Sequence, residues 1–207
     1  MKFEWLFFDL GGTIYDETNS DRERIEKLLN RTSTNISIDE FYAEMIKASE
    51  NFEPSAFTAA RRHFGITQNE PYSGEKEILY PNAVEVIKSL SASYHLGILA
   101  NQPASTIARL KRDGLFDLFE LCLLSECEKM SKPDIHFFEH ALKIANCRPA
   151  EAVMIGDRLD NDIFPAKQSG MKTIRIVQGL HFSQYSQLPE YTADYEVTSL
   201  TDLLKIL

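Results

Sequence analysis

Two aspartates stand where apolar runs end. Asp9 follows Trp5-Leu6-Phe7-Phe8, and Asp157 follows Ala152-Val153-Met154-Ile155-Gly156. If those runs are neighbouring strands, the two carboxylates meet at the carboxyl edge of one sheet, with Asp162 nearby at a helix start. Carboxylates so placed repel one another unless a hard cation or a lysine neutralises them. Oxygen-only ligands suit Mg²⁺, which keeps part of its water shell and bridges to phosphate. Lys132, just before Pro133, is the candidate for a fixed positive charge. A carboxylate, a magnesium ion and a lysine converging on one point suit phosphoryl transfer, with the carboxylate attacking phosphorus. Taken singly, each aspartate also fits a helix cap or a turn. Their co-occurrence with Gly11-Gly12-Thr13, with Ser131-Lys132-Pro133-Asp134 and with Gly156-Asp157-Arg158-Leu159-Asp160-Asn161-Asp162 favours a site.

Other polar residues have plainer readings. Gly11-Gly12 lacks the third glycine of a dinucleotide fingerprint, and the following segment departs from a βαβ unit. His136 and His140 are one helical turn apart, but they have no acidic third partner and flank Phe137-Phe138, so they read as surface or core-edge histidines. Arg158 either touches substrate or balances the carboxylates beside it. Arg61 and Arg62 read as solvated helix residues, while Tyr15 and Asp16 are candidates for the rim of the site.

The elements that must position these groups alternate. A strand from Phe3 to Phe8 ends at Asp9, and Gly11-Gly12 offers a tight turn. From about Ile14 to Tyr80 the chain reads as amphipathic helices with no clear buried strand. Ser37 and Glu40 have capping-box spacing ahead of Phe41, Met45 and Ile46, and Pro54 opens a helix that Gly65 stops. Beyond Pro81 strands and helices alternate. Strands are predicted at Leu96–Leu99, Leu121–Leu124, Ala152–Ile155, Thr173–Val177 and Tyr195–Val197. Helices are predicted around Val84–Leu90, Pro103–Arg112, from Pro133 to Ala145, up to Gly170 and from Leu200. The pattern predicts an α/β protein: a three-layer open parallel sheet of Rossmann type, with an inserted helical unit.

Composition agrees. The 207 residues are 43% hydrophobic and 26% charged, with nine glycines and eight prolines, which excludes a fibrous or largely disordered chain. That length suits one core plus a smaller insertion. The net charge of −9 argues against general nucleic-acid binding, and the basic runs at Arg61-Arg62-His63 and Arg109-Lys111-Arg112 look like helix faces. Cys122, Cys127 and Cys147 lack zinc-site spacing and read as reduced thiols of a cytoplasmic protein. The apolar run after Met1-Lys2-Phe3-Glu4 is too brief for a signal peptide or membrane span.

These motifs resemble those of the haloacid dehalogenase-like hydrolase superfamily along essentially the whole chain. Asp9-Leu10-Gly11-Gly12-Thr13 is similar to the first motif, whose leading aspartate is nucleophile and magnesium ligand. Leu99-Ala100-Asn101 stands at the second, Lys132 resembles the lysine of the third, and Gly156-Asp157 through Asn161-Asp162 resembles the acidic fourth. The resemblance implies Asp9 and Lys132 as catalytic residues and a Mg²⁺ held by Asp9, the Gly11 carbonyl, Asp157 and, through water, Asp162. Gly12, Thr13, Ala100, Asn101 and Lys132 become substrate-binding positions, with Arg158 beside them. It also implies a core of residues 1–15 and 81–207 and a helical cap of residues 16–80, hinged near Asp16 and Tyr80-Pro81.

Two departures bear on activity. Gly11 stands where family phosphatases carry a second aspartate that exchanges protons with leaving group and water, and Ala100 replaces a phosphoryl-binding serine or threonine. Loss of a general acid/base typically slows a reaction by ~10²–10⁴. Two expectations follow: a weak or atypical Mg²⁺-dependent hydrolase of a small phosphorylated metabolite, through an aspartyl-phosphate, or an impaired relative that binds or regulates. A monomer or weak homodimer is expected, with no nucleic-acid or membrane partner.

Overall fold

A computed structural model describes residues 3–186 and 188–207 of the protein. Met1 and Lys2, at the head of the N-terminal run read above, lie outside the described residues. Strand β1 (Trp5–Phe8) is buried along its whole length, beginning two residues later than its sequence predicts. Leu6 and Phe8 enter one apolar layer, Trp5 and Phe7 the other. Because both faces are covered, the strand reads as a continuous apolar run. Burial of Phe7 and Phe8 contributes on the order of 1.5–3 kcal/mol each, which holds the strand leading into Asp9 firmly.

The chain continues through β2 (Tyr15–Asp16) into α1 (Thr18–Leu29), α2 (Ile38–Glu50) and α3 (Ala56–His63), then returns by β3 (Ile78–Leu79). β2 and β3 pair antiparallel, a short ribbon at the foot of the helices. The sequence shows no strand there, because two-residue strands carry no periodicity to read. The expected capping box is present: Ser37 Oγ accepts from the Glu40 N–H at 3.2 Å, and Glu40 Oε2 accepts from the Ser37 N–H at 2.8 Å. α3 starts after Ser55, whose hydroxyl caps it, and not at Pro54. The helices share their own apolar cluster, with Ile25, Leu28, Phe41, Met45, Phe57 and Ala60 buried together.

The rest of the chain forms α4 (Ala83–Ser91), β4 (His95–Ala100), α5 (Thr106–Arg112), β5 (Leu121–Leu124), α6 (Ser125–Glu128) and α7 (Ile135–Ile144). Then come β6 (Ala152–Gly156), α8 (Phe164–Gln168), β7 (Lys172–Ile176), β8 (Tyr195–Val197) and α9 (Leu203–Ile206). Six strands make one parallel sheet in the order β5-β4-β1-β6-β7-β8. Val86 and Ile87 of α4, Leu110 of α5 and Leu203 of α9 cover the Leu6 face. Phe137, Phe138 and Leu142 of α7 and Ala166 of α8 cover the Trp5 face. The expected three-layer α/β architecture is the one observed. Among the described residues, no helix is long and apolar enough to cross a membrane.

From β1 the chain moves outward through β4 and β5, then crosses back to β6, β7 and β8 on the other side. The direction of winding reverses between β1 and β6, and open α/β sheets leave their ligand crevice at the carboxyl ends of the strands flanking such a point.

Candidate active site

Register decides what meets in that crevice. Phe8 pairs with Ile155, and the Asp9 N–H donates to the Ile155 carbonyl at 2.9 Å, so Asp9 and Asp157 leave adjacent strand ends together. After β6 the backbone makes a wide helical turn over Leu159–Ile163, and the Arg158 N–H donates to Asp162 Oδ2 at 3.0 Å. Carboxylate oxygens of Asp9, Asp157 and Asp162 all come within 4.8 Å of one another. The backbone permits this crowding because Gly12 has a φ of +68° and no side chain; a Cβ there would fall 2.2 Å from Asp157 Oδ2.

Lys132 reaches the same point from the far side of β4. Its Nζ lies 2.8 Å from Asp9 Oδ1 and 2.6 Å from Asp162 Oδ1. Asn101, just past the end of β4, holds the lysine's backbone: its Nδ2 donates to the Lys132 carbonyl and its Oδ1 accepts from the Lys132 N–H, both at 2.8 Å. Asn101, expected among the substrate contacts, lines the cleft, and its amide also positions the lysine.

The charges do not cancel. Burial alone would lower the pKa of Lys132, but Asp162 and Asp9 outweigh it and hold the ammonium above its ordinary range. Asp162 is pushed up to about 6, by burial first, with Lys132 opposing. Asp157 is 1% exposed, and neither of its oxygens has a hydrogen-bond partner among the described residues. Burial, followed by the charges of Asp162, Asp9 and Glu17, raises its pKa well above its ordinary value. Arg158 opposes this rise only in part, and its guanidinium pairs with Asp160 at 3.2 and 2.6 Å. A buried carboxylate with no donor, beside two more carboxyls, fits a hard divalent cation. The donor set is all oxygen, as Mg²⁺ prefers.

A cleft of about 130 Å³ opens onto the cluster, lined by Asp9, Gly11, Lys132, Asp157 and Arg158 among others. Thr13 is fully buried and its hydroxyl has no partner among the described residues; Ala100 is buried at the end of β4. Neither lines the cleft. Tyr15 and Asp16 do not line it either. Tyr15 donates to Asp113 Oδ2 at 2.9 Å beneath the Arg109 guanidinium, and Asp16 accepts from the Thr18 N–H. His136 and His140 pair separately, with Glu139 and Glu128.

Five further residues complete the lining: Glu17, Asn101, Gln102, Asn161 and His181. Glu17 immediately precedes α1, where an acidic residue reads simply as a partner of the helix dipole. Its carboxyl projects over Gly11, and burial, followed by Asp21, Glu77 and Asp9, pushes its pKa well up. His181 comes from the loop after β7, and its Nδ1 lies 2.6 Å from Ser49 Oγ of α2. Burial, then Arg158, lowers its pKa to about 3, so the ring is neutral. No spacing rule links position 181 to position 9; only the order of the sheet does.

Comparison with known proteins identifies the family. Glyceraldehyde 3-phosphate phosphatase of Pyrococcus abyssi is 31% identical over an alignment covering 98% of this chain and 92% of that protein. A pyrimidine 5'-nucleotidase of Escherichia coli is 25% identical, with 100% and 99% covered. In fold, the HAD-hydrolase YfnB of Bacillus subtilis, solved bound to magnesium, superposes with a TM-score of 0.75 at 21% identity, covering 100% of this chain and 99% of that one. The haloacid dehalogenase-like hydrolase pattern itself matches residues 3–170, which take in the Asp9, Lys132 and Asp157–Asp162 segments. The chain belongs to the haloacid dehalogenase-like hydrolase family.

Proposed function

We propose that the protein is a Mg²⁺-dependent phosphatase of a small phosphorylated metabolite, with Asp9 as the nucleophile. The carrying observation is the buried cluster in which Lys132 grips Asp9 and Asp162 while Asp157 stands with both oxygens unpartnered. Relatives that act on glyceraldehyde 3-phosphate and on pyrimidine nucleotides support the small-metabolite class.

In this reading Asp9 and Asp157 hold the cation directly, with the Gly11 carbonyl, and Asp162 holds its water. When bound, Mg²⁺ offsets charge on the phosphoryl group and on the carboxylates around it. The chain supplies the rest. Lys132 fixes Asp9 Oδ1 by a charge-assisted bond, which leaves the other carboxylate oxygen to attack phosphorus and form an aspartyl-phosphate. The lysine ammonium also reduces the repulsion between that carboxylate and the incoming dianion. Asn101 keeps the lysine in register, and the three helices act as a cap that keeps bulk water from the cleft.

Gly11 and Ala100 favour a competing reading, a protein that binds phosphorylated ligands without turning them over. One experiment separates the two. Phosphate release from a panel of sugar, nucleotide and small organic phosphates is measured with and without Mg²⁺, for the wild type and for Asp9→Asn. Turnover of at least one ester, dependent on Mg²⁺ and lost in Asp9→Asn, is expected. Ligand binding with no release from any ester would establish the binding role instead.

A further inference from the structure

Cleavage of an alkyl phosphate leaves an alkoxide, and hydrolysis of an acyl phosphate needs a water stripped of a proton. Both steps call for a carboxyl or imidazole near the nucleophile that is not already committed. Asp9 is the nucleophile in the reading above. Asp157 and Asp162 face the cation site, and Asp162 is also tied to Lys132. Asp160 is locked to Arg158, and the His181 ring engages Ser49. One carboxyl in the cleft has no ion pair among the described residues and only a 3.1 Å contact with the Tyr72 hydroxyl.

That carboxyl is Glu17. It lines the cleft together with Asp9 and Lys132. Its head group fills the space above Gly11: a Cβ built on that glycine would lie 2.3 Å from Glu17 Oε1 and 2.6 Å from Oε2. Thus the first loop leaves a gap where a side chain would stand, and the residue at the foot of α1 fills it with an acid. Its polar contacts follow from its neighbours. The Tyr72 hydroxyl lies 2.8 Å from Glu77 Oε1 and 3.1 Å from Glu17 Oε1. A phenol has one proton and can donate to only one of them. Glu77 forms an ion pair with Arg109 and is the anionic acceptor. Glu17 has no ion pair among the described residues, and the phenol reaches it only at the longer of the two distances.

We propose that Glu17 is the catalytic acid and base of the phosphoryl-transfer reaction, a role that rests on the phosphatase reading above. In the first step an Asp9 carboxylate oxygen bonds to phosphorus, the ester P–O bond breaks, and the leaving oxygen takes the Glu17 proton. In the second, the Glu17 carboxylate takes a proton from water as that water's oxygen bonds to phosphorus. The P–O bond to Asp9 then breaks, which releases phosphate and restores Asp9 as carboxylate and Glu17 as acid. Because Glu17 stands at the junction with the helices, this group arrives with them and not with the sheet.

The test compares the wild type with Glu17→Gln, on p-nitrophenyl phosphate and phenyl phosphate with Mg²⁺, following phenol release and intact protein mass. Glu17→Gln should still release about one equivalent of p-nitrophenol, which needs no acid, and then stall with Asp9 phosphorylated. On phenyl phosphate its first step should slow by ~10²–10³. The double variant Gly11→Asp/Glu17→Ala, which moves the carboxyl to the gap, should recover part of the lost rate; thermal unfolding confirms that each variant is folded. Equal sensitivity to the leaving group in wild type and Glu17→Gln, with no phosphorylated protein accumulating, would overturn the assignment and leave the phosphatase reading intact. No phenol release by the wild type from either ester would sink the phosphatase reading itself, and the role of Glu17 with it.

Discussion

Asp157 shows what one buried residue implies for the whole site. A carboxyl whose pKa is raised on folding is bound to its proton more tightly in the native state than in the unfolded chain. Its penalty is therefore absent below the ordinary aspartate range, near about 3.9, and grows as pH rises above it. In metal-free protein Asp157→Asn should raise Tm, and by more at pH 8 than at pH 5. Each kcal/mol gained corresponds to roughly 2–4 °C in a chain of this size. Added Mg²⁺ should raise the wild-type Tm and leave the variant nearly unmoved. Melting curves in chelator and in Mg²⁺ at the two pH values check both parts; a variant stabilised by Mg²⁺ as strongly as the wild type would place the ion elsewhere.

Elements carry the coupling between the sheet edge and the helices. Gln184, in the loop after β7, donates to the Ser49 carbonyl at 3.2 Å and to Asp160 at 3.1 Å, and accepts from the Leu159 N–H at 2.8 Å. It is 2% exposed, so Gln184→Ala leaves the buried Leu159 N–H without its partner, at a cost of about 1–3 kcal/mol. The expected result is faster amide exchange across α2 and the Leu159–Ile163 turn, with β1 unchanged; uniform protection in the variant would mean that the loop does not tie these elements. β1 and β6 were legible because each is a continuous apolar run covered on both faces. The ribbon of β2 and β3 was not, being too short for any pattern. Asn101 was legible as a site residue but not as the clamp on Lys132, because its partner lies 31 positions away in sequence. Glu17 was hidden for a related reason: its place over Gly11 is set by the turn between β1 and β2 and not by local spacing.

At the scale of the whole molecule, the site is an intersection. β1 brings Asp9, β6 brings Asp157 and Asp162, and the segment after α6 brings Lys132. The helical insertion brings Glu17, and the loop after β7 brings His181 against Ser49. The motifs announced the first four; Glu17 enters with the helices, and His181 follows β7 and meets Ser49 of α2. The cleft beneath them is small, about 130 Å³. The central claim, that this intersection makes Asp9 a nucleophile toward phosphorus, has a direct measurement. Wild-type protein is mixed with Mg²⁺ and p-nitrophenyl phosphate, quenched in acid within the first turnover, and mapped by peptide mass spectrometry. The account predicts one phosphoryl group on Asp9 in the wild type and none in Asp9→Asn. Phosphate release with Asp9 never modified, or release undiminished in Asp9→Asn, would contradict it.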